Sequence, residues 1–378
     1  MTARLRPAAV AALAVALAWF AGGQAALGRI DPALAFPLLM APMLLLAGWQ
    51  RREDAPARRR GAVAALLLIA VAQGVLAWGL AGSVALGQLV FILAAGVVAA
   101  LIADWLVRQR GRAVRLLLAL LVLPGWFAGG HLLLATLYRP AFADRPAAVT
   151  MLTSLPLRWV QGDDIAAMIA HGAGEDPALL RLEAAGPVQL VDSLADHVPP
   201  SGAALLLAHP PALAPRDLVA VDAFVRGGGR AVILADALSG WPARHPLGDP
   251  RNPPVTSLLT PLLDHWGVTL GAAPPGERAA QNVDVAGHRL RLFSAGRFER
   301  LPSGCRAFAG ARIAQCRIGA GEAWLVGDAD LLFAPLWQPL LPGAAHLRRA
   351  DTMEWLDARL RGGEAGAARF RPLWIGAA

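Results

Sequence analysis

The sequence predicts a membrane protein in two parts: an α-helical membrane region of five transmembrane helices, followed by an α/β domain with a β-rich extension. Three observations lead to this prediction. Five apolar runs fill the first 138 residues, and each has about the 17–25 residues that a helix needs to cross the hydrocarbon core of a bilayer. The same residues hold all of the net positive charge. Beyond them, apolar stretches of strand length alternate with helix-like stretches.

The apolar runs are separated by short connections, and each is predicted to be a membrane-spanning helix. They are Ala8–Leu27, Ala33–Trp49, Ala62–Leu80, Leu86–Val107 and Val114–Tyr138. The first run also has the basic start and apolar centre of a signal peptide. Cleavage would leave four spans and the same location for the C-terminal part. The charge alternation that continues through the next four runs favours a retained helix.

The arginines lie in alternate connections of the apolar region. The first 138 residues carry 12 Arg against 4 Asp plus Glu, whereas the rest of the chain carries 23 of each, which accounts for the net charge of +8. Basic loops stay in the cytoplasm. We therefore expect a bacterial inner-membrane protein with a cytoplasmic N terminus and, after five spans, a periplasmic C-terminal domain. Because the basic residues are explained by topology, no nucleic-acid partner is expected.

The predicted domains are a transmembrane region over residues 1–138, an α/β domain over 139–361 and a loose C-terminal tail over 362–378. A strand, a helix, a glycine stop and a second strand follow one another in the α/β domain, as in a βαβ unit. Predicted strands are Val149–Thr153, Val188–Val191, Ala203–Ala208, Arg230–Ala235 and Val268–Leu270. Predicted helices are Asp163–Gly172, Leu213–Arg226, Val255–Trp266 and His346–Arg361.

Residues 281–327 form the predicted β-rich extension, with turns at Gly287, Gly310 and Gly319–Gly321. A hairpin around Gly310 would place the only two cysteines, Cys305 and Cys316, on facing strands. Their Cα atoms would then lie within the ~4.4–6.8 Å that a disulfide requires, and an oxidising periplasm would preserve the bond. The alternative is a pair of buried free thiols, which behave as small apolar residues.

Polar side chains follow several predicted strands, where open α/β sheets bind ligands. These residues are Thr153, Ser154, His209, Asp236, Asp328 and Asp330. If the strands are neighbours, the histidine and the three aspartates could form an acidic pocket for a cation or a polar ligand. The alternative is structural, because an aspartate after a strand commonly caps a turn through backbone hydrogen bonds.

The sequence lacks the motifs of several enzyme classes. It has no Gly-x-Ser-x-Gly elbow, no Gly-x-x-x-x-Gly-Lys-Ser/Thr phosphate loop and no lysine at all. No His/Cys group has zinc spacing. We therefore expect no catalytic residues, no resident metal and no cofactor. If the protein works with an ATPase, that ATPase must be another chain.

Three parts of the C-terminal region together resemble a known family. They are Ala208–Leu218 with Val221–Asp236, then Ile318–Leu332, which ends in Gly-Asp-Ala-Asp-Leu-Leu, and finally Ala350–Leu356. The sequence resembles the soluble region of the gliding-motility-associated ABC transporter auxiliary component family and related membrane proteins of unknown function. The resemblance covers most of Val149–Leu360. Members usually have a span at each end of this region, whereas here five spans precede it.

The resemblance implies a flavodoxin-like or amidotransferase-like fold, an ABC-type export complex and no established catalytic residues. We expect a non-catalytic membrane component of an ABC-type transport or cell-envelope complex, with a periplasmic domain that binds a partner or a ligand. Its partners would be the lipid bilayer and the ABC ATPase and permease subunits. Two alternatives stay open: a stand-alone membrane sensor or scaffold in envelope homeostasis, and a degenerate membrane-tethered hydrolase using the Asp pocket.

Overall fold

In the computed structural model the chain divides into two compact units. The membrane unit comprises Met1–Arg139, Pro339–Arg348 and Ala368–Ala378, and the α/β unit comprises Pro140–Gln338 and Arg349–Ala367. The structure describes residues 5–140, 146–158, 174–243, 245–246, 248–249, 251–277, 279–362 and 368–376. The predicted helix Asp163–Gly172 lies outside the described residues.

The membrane unit is helical, as its apolar runs predict. Four helices are long and apolar enough to cross a membrane, or five if one bent pair is a single span. The α-helices are α1 (Arg6–Phe20), α2 (Gln24–Leu27), α3 (Met40–Trp49), α4 (Ala55–Ala81), α5 (Leu86–Val107) and α6 (Arg112–Leu137).

The second apolar run forms two helices rather than the single straight helix that was expected. A 3₁₀ helix, Pro32–Leu38, meets α3 at an angle of 62°. Pro37 lies inside the 3₁₀ helix and Pro42 lies in the first turn of α3. Proline lacks a backbone N–H and is tolerated in an α-helix mainly in the first turn, which explains why the chain starts a new helix here.

Close helix packing in the membrane unit depends on small residues. A Cβ atom on Gly96 would lie 2.3 Å from the Leu66 side chain, and a Cβ atom on Gly130 would lie 2.9 Å from the Pro37 backbone. The outward faces stay apolar, with Val71 62% exposed and Leu120 71% exposed. Such faces suit contact with lipid rather than with water.

The α/β unit contains eleven described strands. They are β1 (Val149–Thr153), β2 (Val188–Leu190), β3 (Ala204–Ala208), β4 (Arg230–Leu234), β5 (Thr269–Leu270), β6 (Gln281–Val285), β7 (His288–Leu292), β8 (Phe298–Arg300), β9 (Cys305–Phe308), β10 (Ile313–Ile318) and β11 (Gly321–Val326). Seven form one mixed sheet in the order β2-β1-β3-β4-β11-β10-β9. The five strands β2, β1, β3, β4 and β11 pair in parallel with one another, whereas β10 pairs antiparallel with both β11 and β9.

The centre of this sheet is buried on both faces. Leu206 and Val232 belong to one apolar core, whereas Leu205 and Ile233 belong to the other. Alternate residues of a strand point to opposite faces, so β3 and β4 must be apolar throughout. This explains why their sequences are continuous apolar runs, as is typical of a parallel sheet.

The helices of the α/β unit are shorter than the sequence predicts. They are α7 (Pro177–Ala185), α8 (Pro215–Arg226), α9 (Thr260–His265), α10 (Ala334–Trp337) and α11 (Thr352–Arg361). The predicted helix Val255–Trp266 is wrong over its first five residues, because Pro261 fits only the first turn of a helix. The predicted start at His346 is also wrong, because residues 340–347 form a loop closed by the Leu340 N–H and the Leu347 carbonyl.

The β-rich region contributes strands to three different sheets, one of which is the antiparallel pair β5–β8. The pair β6–β7 makes a separate hairpin, whose turn residues Ala286 and Gly287 both have positive φ angles of 51° and 77°, as a two-residue hairpin turn requires. The strands β9, β10 and β11 instead extend the main sheet. The expected hairpin over residues 305–317 is therefore β9–β10, closed around Gly310.

The C-terminal tail differs from the loose segment that was expected over residues 362–378. Residues 368–376 pack within the membrane unit, where Trp374 is buried. The Ile30 N–H donates to the Leu373 carbonyl at 2.9 Å, and the Ile375 N–H donates to the Gly28 carbonyl at 2.9 Å. This pairing orders a segment that is rich in small and polar residues.

Candidate functional site

The six predicted site residues lie at one edge of the main sheet. The strands β1, β3, β4 and β11 are parallel neighbours, so their carboxyl ends meet at that edge. Each of the six residues ends or follows one of these strands. The structure separates them into two hydrogen-bonded groups.

The first group is the aspartate triad, which we define as Asp236, Asp328 and Asp330. Asp236 follows β4, and the other two follow the adjacent strand β11. One carboxylate oxygen of each residue lies within 4.8 Å of the others. The relative exposures are 0%, 0% and 3%, so three acidic groups share one enclosed space.

Backbone N–H groups hold two of these carboxylates in place. Asp236 accepts hydrogen bonds from Leu238 at 3.0 Å and from Ala329 at 3.2 Å. Asp330 accepts one from Gly240 at 2.7 Å through Oδ2. These bonds connect the loop after β4 to the loop after β11, so the aspartates have a structural role whatever else they do.

Asp328 is bound in the same way. Its Oδ2 accepts from the Phe293 N–H at 2.8 Å, and its Oδ1 accepts from the Asp330 N–H at 2.7 Å. Five of the six triad oxygens therefore accept a backbone hydrogen bond. The sixth, Oδ1 of Asp330, is buried and has no hydrogen-bond partner among the described residues.

The triad does not carry three negative charges at neutral pH. Burial, followed by repulsion from Asp330, raises the pKa of Asp236 to about 8. Burial raises the pKa of Asp330 to about 6. Burial and the charges of its two neighbours raise the pKa of Asp328 well above its ordinary value. Asp236 therefore keeps its proton at neutral pH, and a hard cation held by its carboxylate oxygens would have to displace that proton.

The second group connects the ends of β1 and β3. The Thr153 hydroxyl donates to the Ala208 carbonyl at 2.6 Å, and the Ser154 hydroxyl donates to the His209 carbonyl. The His209 Nε2 lies 2.6 Å from the Pro254 carbonyl, which can only accept. Burial lowers the pKa of His209, so its ring is neutral and carries its proton on Nε2.

Three of the six predicted residues therefore come together, and the other three form a strand connection. Over the described parts of the chain, no hydrogen bond joins Thr153, Ser154 or His209 to the aspartate triad. The Nδ1 atom of His209 is buried, and none of the described residues forms a hydrogen bond with it. The arrangement is suited to capping loops and to holding a proton or a cation.

The two cysteines lie at the far edge of the same sheet. Cys305 on β9 is directly opposite Cys316 on β10, and their sulfur atoms are bonded in the structure. Their Cα atoms are 4.0 Å apart, slightly closer than expected. The bond links an edge strand to its neighbour.

The sequence analysis missed a buried ion cluster inside the membrane unit. The Arg29 guanidinium contacts the Asp31 carboxylate, donates to the His346 carbonyl at 2.7 Å and lies 5.3 Å and 5.2 Å from the ring centres of Tyr138 and Trp374. Both charged residues are 0% exposed. The available signal was the pair Arg29 and Asp31 in a short connection that is otherwise free of charge.

Comparison with solved structures finds only distant similarity. An exo-β-1,4-mannosidase, Op5Man5 from Opitutaceae bacterium strain TAV5, is 13% identical with a TM-score of 0.34, over 57% of this chain and 36% of that one. A cold-adapted β-galactosidase from Rahnella sp. R3 is 15% identical with a TM-score of 0.29, over 61% of this chain and 35% of that one. This chain thus spans about a third of their length, and similarity at this level does not indicate a shared function.

No curated protein matches the sequence. Residues 184–273 match the family described as an ABC-type uncharacterized transport system. This segment contains β3, α8 and β4, with His209 and Asp236 at the strand ends. The match confirms the resemblance that the sequence motifs indicate. Over this segment, about a quarter of its length, the chain is similar to the auxiliary-component family of ABC-type transport systems.

Proposed function

We propose that this protein is a non-catalytic membrane component of an ABC-type transport or cell-envelope complex, and that its α/β unit binds a partner or a ligand in the periplasm. The observation that carries the proposal is a transport-auxiliary segment, residues 184–273, on a chain with four or five apolar helices. Because the sequence has no phosphate loop, the ATP-binding subunit would be another chain.

The placement of arginines supports the proposed orientation. If the bent pair Pro32–Leu38 and Met40–Trp49 were a re-entrant loop, the segment 50–61 with its five arginines would lie outside the cytoplasm. If the pair crosses the membrane, both basic loops stay inside. The second arrangement gives five spans and a periplasmic α/β unit in the inner membrane of a Gram-negative bacterium.

The strand order supports a flavodoxin-like, or more broadly Rossmann-like, assignment for the parallel part of the sheet. The order β2-β1-β3-β4-β11 corresponds to the doubly wound order 2-1-3-4-5. In that topology ligands bind beyond the carboxyl ends of the strands, where all six predicted site residues lie. An amidotransferase-like fold is the alternative assignment.

The proposal is tested by isolating the tagged full-length chain from membranes of its native host. The expected result is enrichment of an ABC ATPase and a permease, compared with an unrelated tagged membrane protein. Recovery of the chain alone as a homo-oligomer would instead support the stand-alone sensor or scaffold. Hydrolysis of a model ester that is abolished by Asp330→Asn would support the degenerate hydrolase.

Orientation is tested by a fusion after Ala378, which keeps the packed segment 368–376 intact. A phosphatase that folds only in the periplasm should be active there. A phosphatase placed in the loop at Arg52 should be inactive, since that loop is expected to be cytoplasmic. The opposite pattern would reverse the topology.

The disulfide offers a second test of location, because such bonds persist in oxidising compartments. Mass spectrometry of unreduced protein from membranes should show one crosslinked peptide pair containing Cys305 and Cys316. Cys316→Ser should lower the free energy of unfolding by roughly 2–3 kcal/mol, from the entropy of closing a short loop. Alkylation of both thiols in unreduced, unfolded protein would rule out the bond.

We also propose that the edge formed by Thr153, Ser154, His209 and the aspartate triad is the ligand-binding edge of the α/β unit. Mg²⁺, Ca²⁺ and Mn²⁺ are the probes, and the expected result is a higher unfolding temperature at pH 8 than without the ion. Asp330→Ala should remove the increase, because it deletes Oδ1, the triad oxygen that no backbone group occupies. If no cation changes the unfolding temperature, the aspartates serve as loop caps only.

A further inference from the structure

The membrane unit contains a groove between α3, α4 and α5, at the ends of these helices that adjoin the basic loops. Its volume is about 420 Å³. Its inner wall is apolar and buried, with Met43, Leu46 and Leu66 exposed by 1%, 2% and 6%. Its outer rim includes Val63 and Leu101, which are 54% and 66% exposed. The groove therefore opens sideways, toward the region that lipid would fill.

The polar end of the groove is strongly basic. Three arginines and one aspartate line it, for a net charge of +2: Arg58, Arg59, Arg108 and Asp104. Asp104 holds two of the arginines, at 2.8 Å from Arg58 and 3.1 Å from Arg108. Arg59 is exposed, and among the described residues none accepts a hydrogen bond or an ion pair from it. One cationic group at the mouth is thus free to bind an anion.

The groove extends over a depth that corresponds to one leaflet. Its lining residues run from Ala55 to Leu66 on α4 and from Val97 on α5 to Arg108, the residue that follows this helix. At about 1.5 Å per residue, each stretch covers about 16 Å. Half of a hydrocarbon core of roughly 30 Å is about 15 Å. The part of this depth beyond the charged residues, from Arg59 to Leu66 and from Asp104 back to Val97, covers about 10 Å, so an acyl chain that follows it would place its headgroup at the arginines.

We infer that this groove binds one anionic phospholipid from the leaflet next to the basic loops, with its phosphate at Arg59 and an acyl chain along the apolar wall. Charge complementarity selects this occupant: a zwitterionic lipid would bring a cation to a mouth that is already positive, whereas an anionic headgroup compensates it. The inference does not depend on which side of the membrane carries the basic loops.

Native mass spectrometry of the full-length protein in a non-ionic detergent tests the inference. Phosphatidylglycerol and phosphatidylcholine with identical acyl chains are the probes, and preferential binding of phosphatidylglycerol is expected. Arg59→Gln should lower this preference about fivefold, from the contribution of one basic residue near a lipid surface. Arg60→Gln is the matched control, because Arg60 is exposed nearby but does not line the groove, and it should leave the preference unchanged.

A second pair of variants tests the apolar wall. Val97→Phe would fill the groove and should reduce the binding of both lipids. Val98→Phe should not, because Val98 is equally exposed, at 49%, but does not line the groove. Three results would overturn the inference: no preference for phosphatidylglycerol, equal losses in Arg59→Gln and Arg60→Gln, or saturation of the site by glycerol 3-phosphate alone.

Discussion

The two units bury ionisable groups in opposite ways. In the membrane unit, Arg29 and Asp31 have opposite charges, are in direct contact and are 0% exposed. In the α/β unit, the aspartate triad collects three groups of the same charge, and burial raises the pKa of each. The first cluster pairs opposite charges in direct contact, whereas the second places like charges together, and there burial and repulsion favour protonation of Asp236.

This difference follows from what each cluster offers to a charge. The Arg29 guanidinium has a carboxylate, a carbonyl and two aromatic rings around it, so a buried cation is compensated. Hydrogen-bond donors and other carboxylates surround the triad, and these cannot compensate three anions. Replacing either Arg29 or Asp31 should therefore destabilise the first cluster, and raising the pH should destabilise the second.

The largest effect is expected from breaking the pair in the membrane unit. Arg29→Met should lower the free energy of unfolding by about 3–5 kcal/mol, because it leaves Asp31 buried without a counter-charge. Thermal unfolding of the purified full-length protein in detergent measures the loss. The double variant Arg29→Met/Asp31→Asn should recover part of the stability. If the double variant were no more stable than the single variant, packing rather than charge would explain the effect.

The second expected effect is a pH dependence of the α/β unit. Below about pH 4, Asp236 is protonated whether the chain is folded or unfolded. The stabilisation that comes from its raised pKa in the folded state is then fully present. As the pH rises toward about 8, the unfolded chain loses this proton while the folded chain keeps it. Stability therefore falls through this window.

Thermal unfolding of the full-length protein at several pH values tests this dependence. The readout is protease cleavage of peptides from the α/β unit, which reports the unfolding of this unit. The midpoint should be higher at pH 5 than at pH 8. Asp236→Asn should flatten the profile even where it lowers the stability at pH 5. A midpoint that rises between these pH values would show that the triad is ionised and compensated.

The smallest expected effect comes from the edge of the Arg29 cluster. The Tyr138 hydroxyl donates to Asp31 Oδ2 at 3.2 Å. Tyr138→Phe removes this bond and keeps the ring that faces Arg29, so it should cost about 1 kcal/mol. Tyr138→Leu removes the ring as well and should cost more. Equal losses in the two variants would mean that the ring contributes nothing beyond its volume.

Sequence patterns predicted the elements whose residues are locally consistent. The strand β1 matches its predicted range, and α5 does as well, because a continuous apolar run bounded by turns or arginines leaves few alternatives. The bend in the second apolar run and the late start of α9 were missed. Both depend on the position of a proline within a helix. The spacing of apolar residues gives no information about that position.

The candidate site was predicted only in part, because burial and pairing are properties of the fold. Neighbouring strands β4 and β11 bring Asp236 to Asp328 and Asp330, as strand-end reasoning suggests. His209 instead turns to the Pro254 carbonyl, from a loop whose course no motif indicates. The ordered conformation of residues 368–376 depends on backbone hydrogen bonds with residues far away in the chain. Amino-acid composition does not reveal such bonds.

The central claim is that this chain works as part of an ABC-type transport assembly. Its most direct test is the native mass of the complex extracted from membranes with a mild detergent. We predict an assembly that contains this 39.5 kDa chain together with an ABC ATPase and a permease, each identified by the masses released on activation. An assembly whose mass is a whole multiple of this chain alone would contradict the claim.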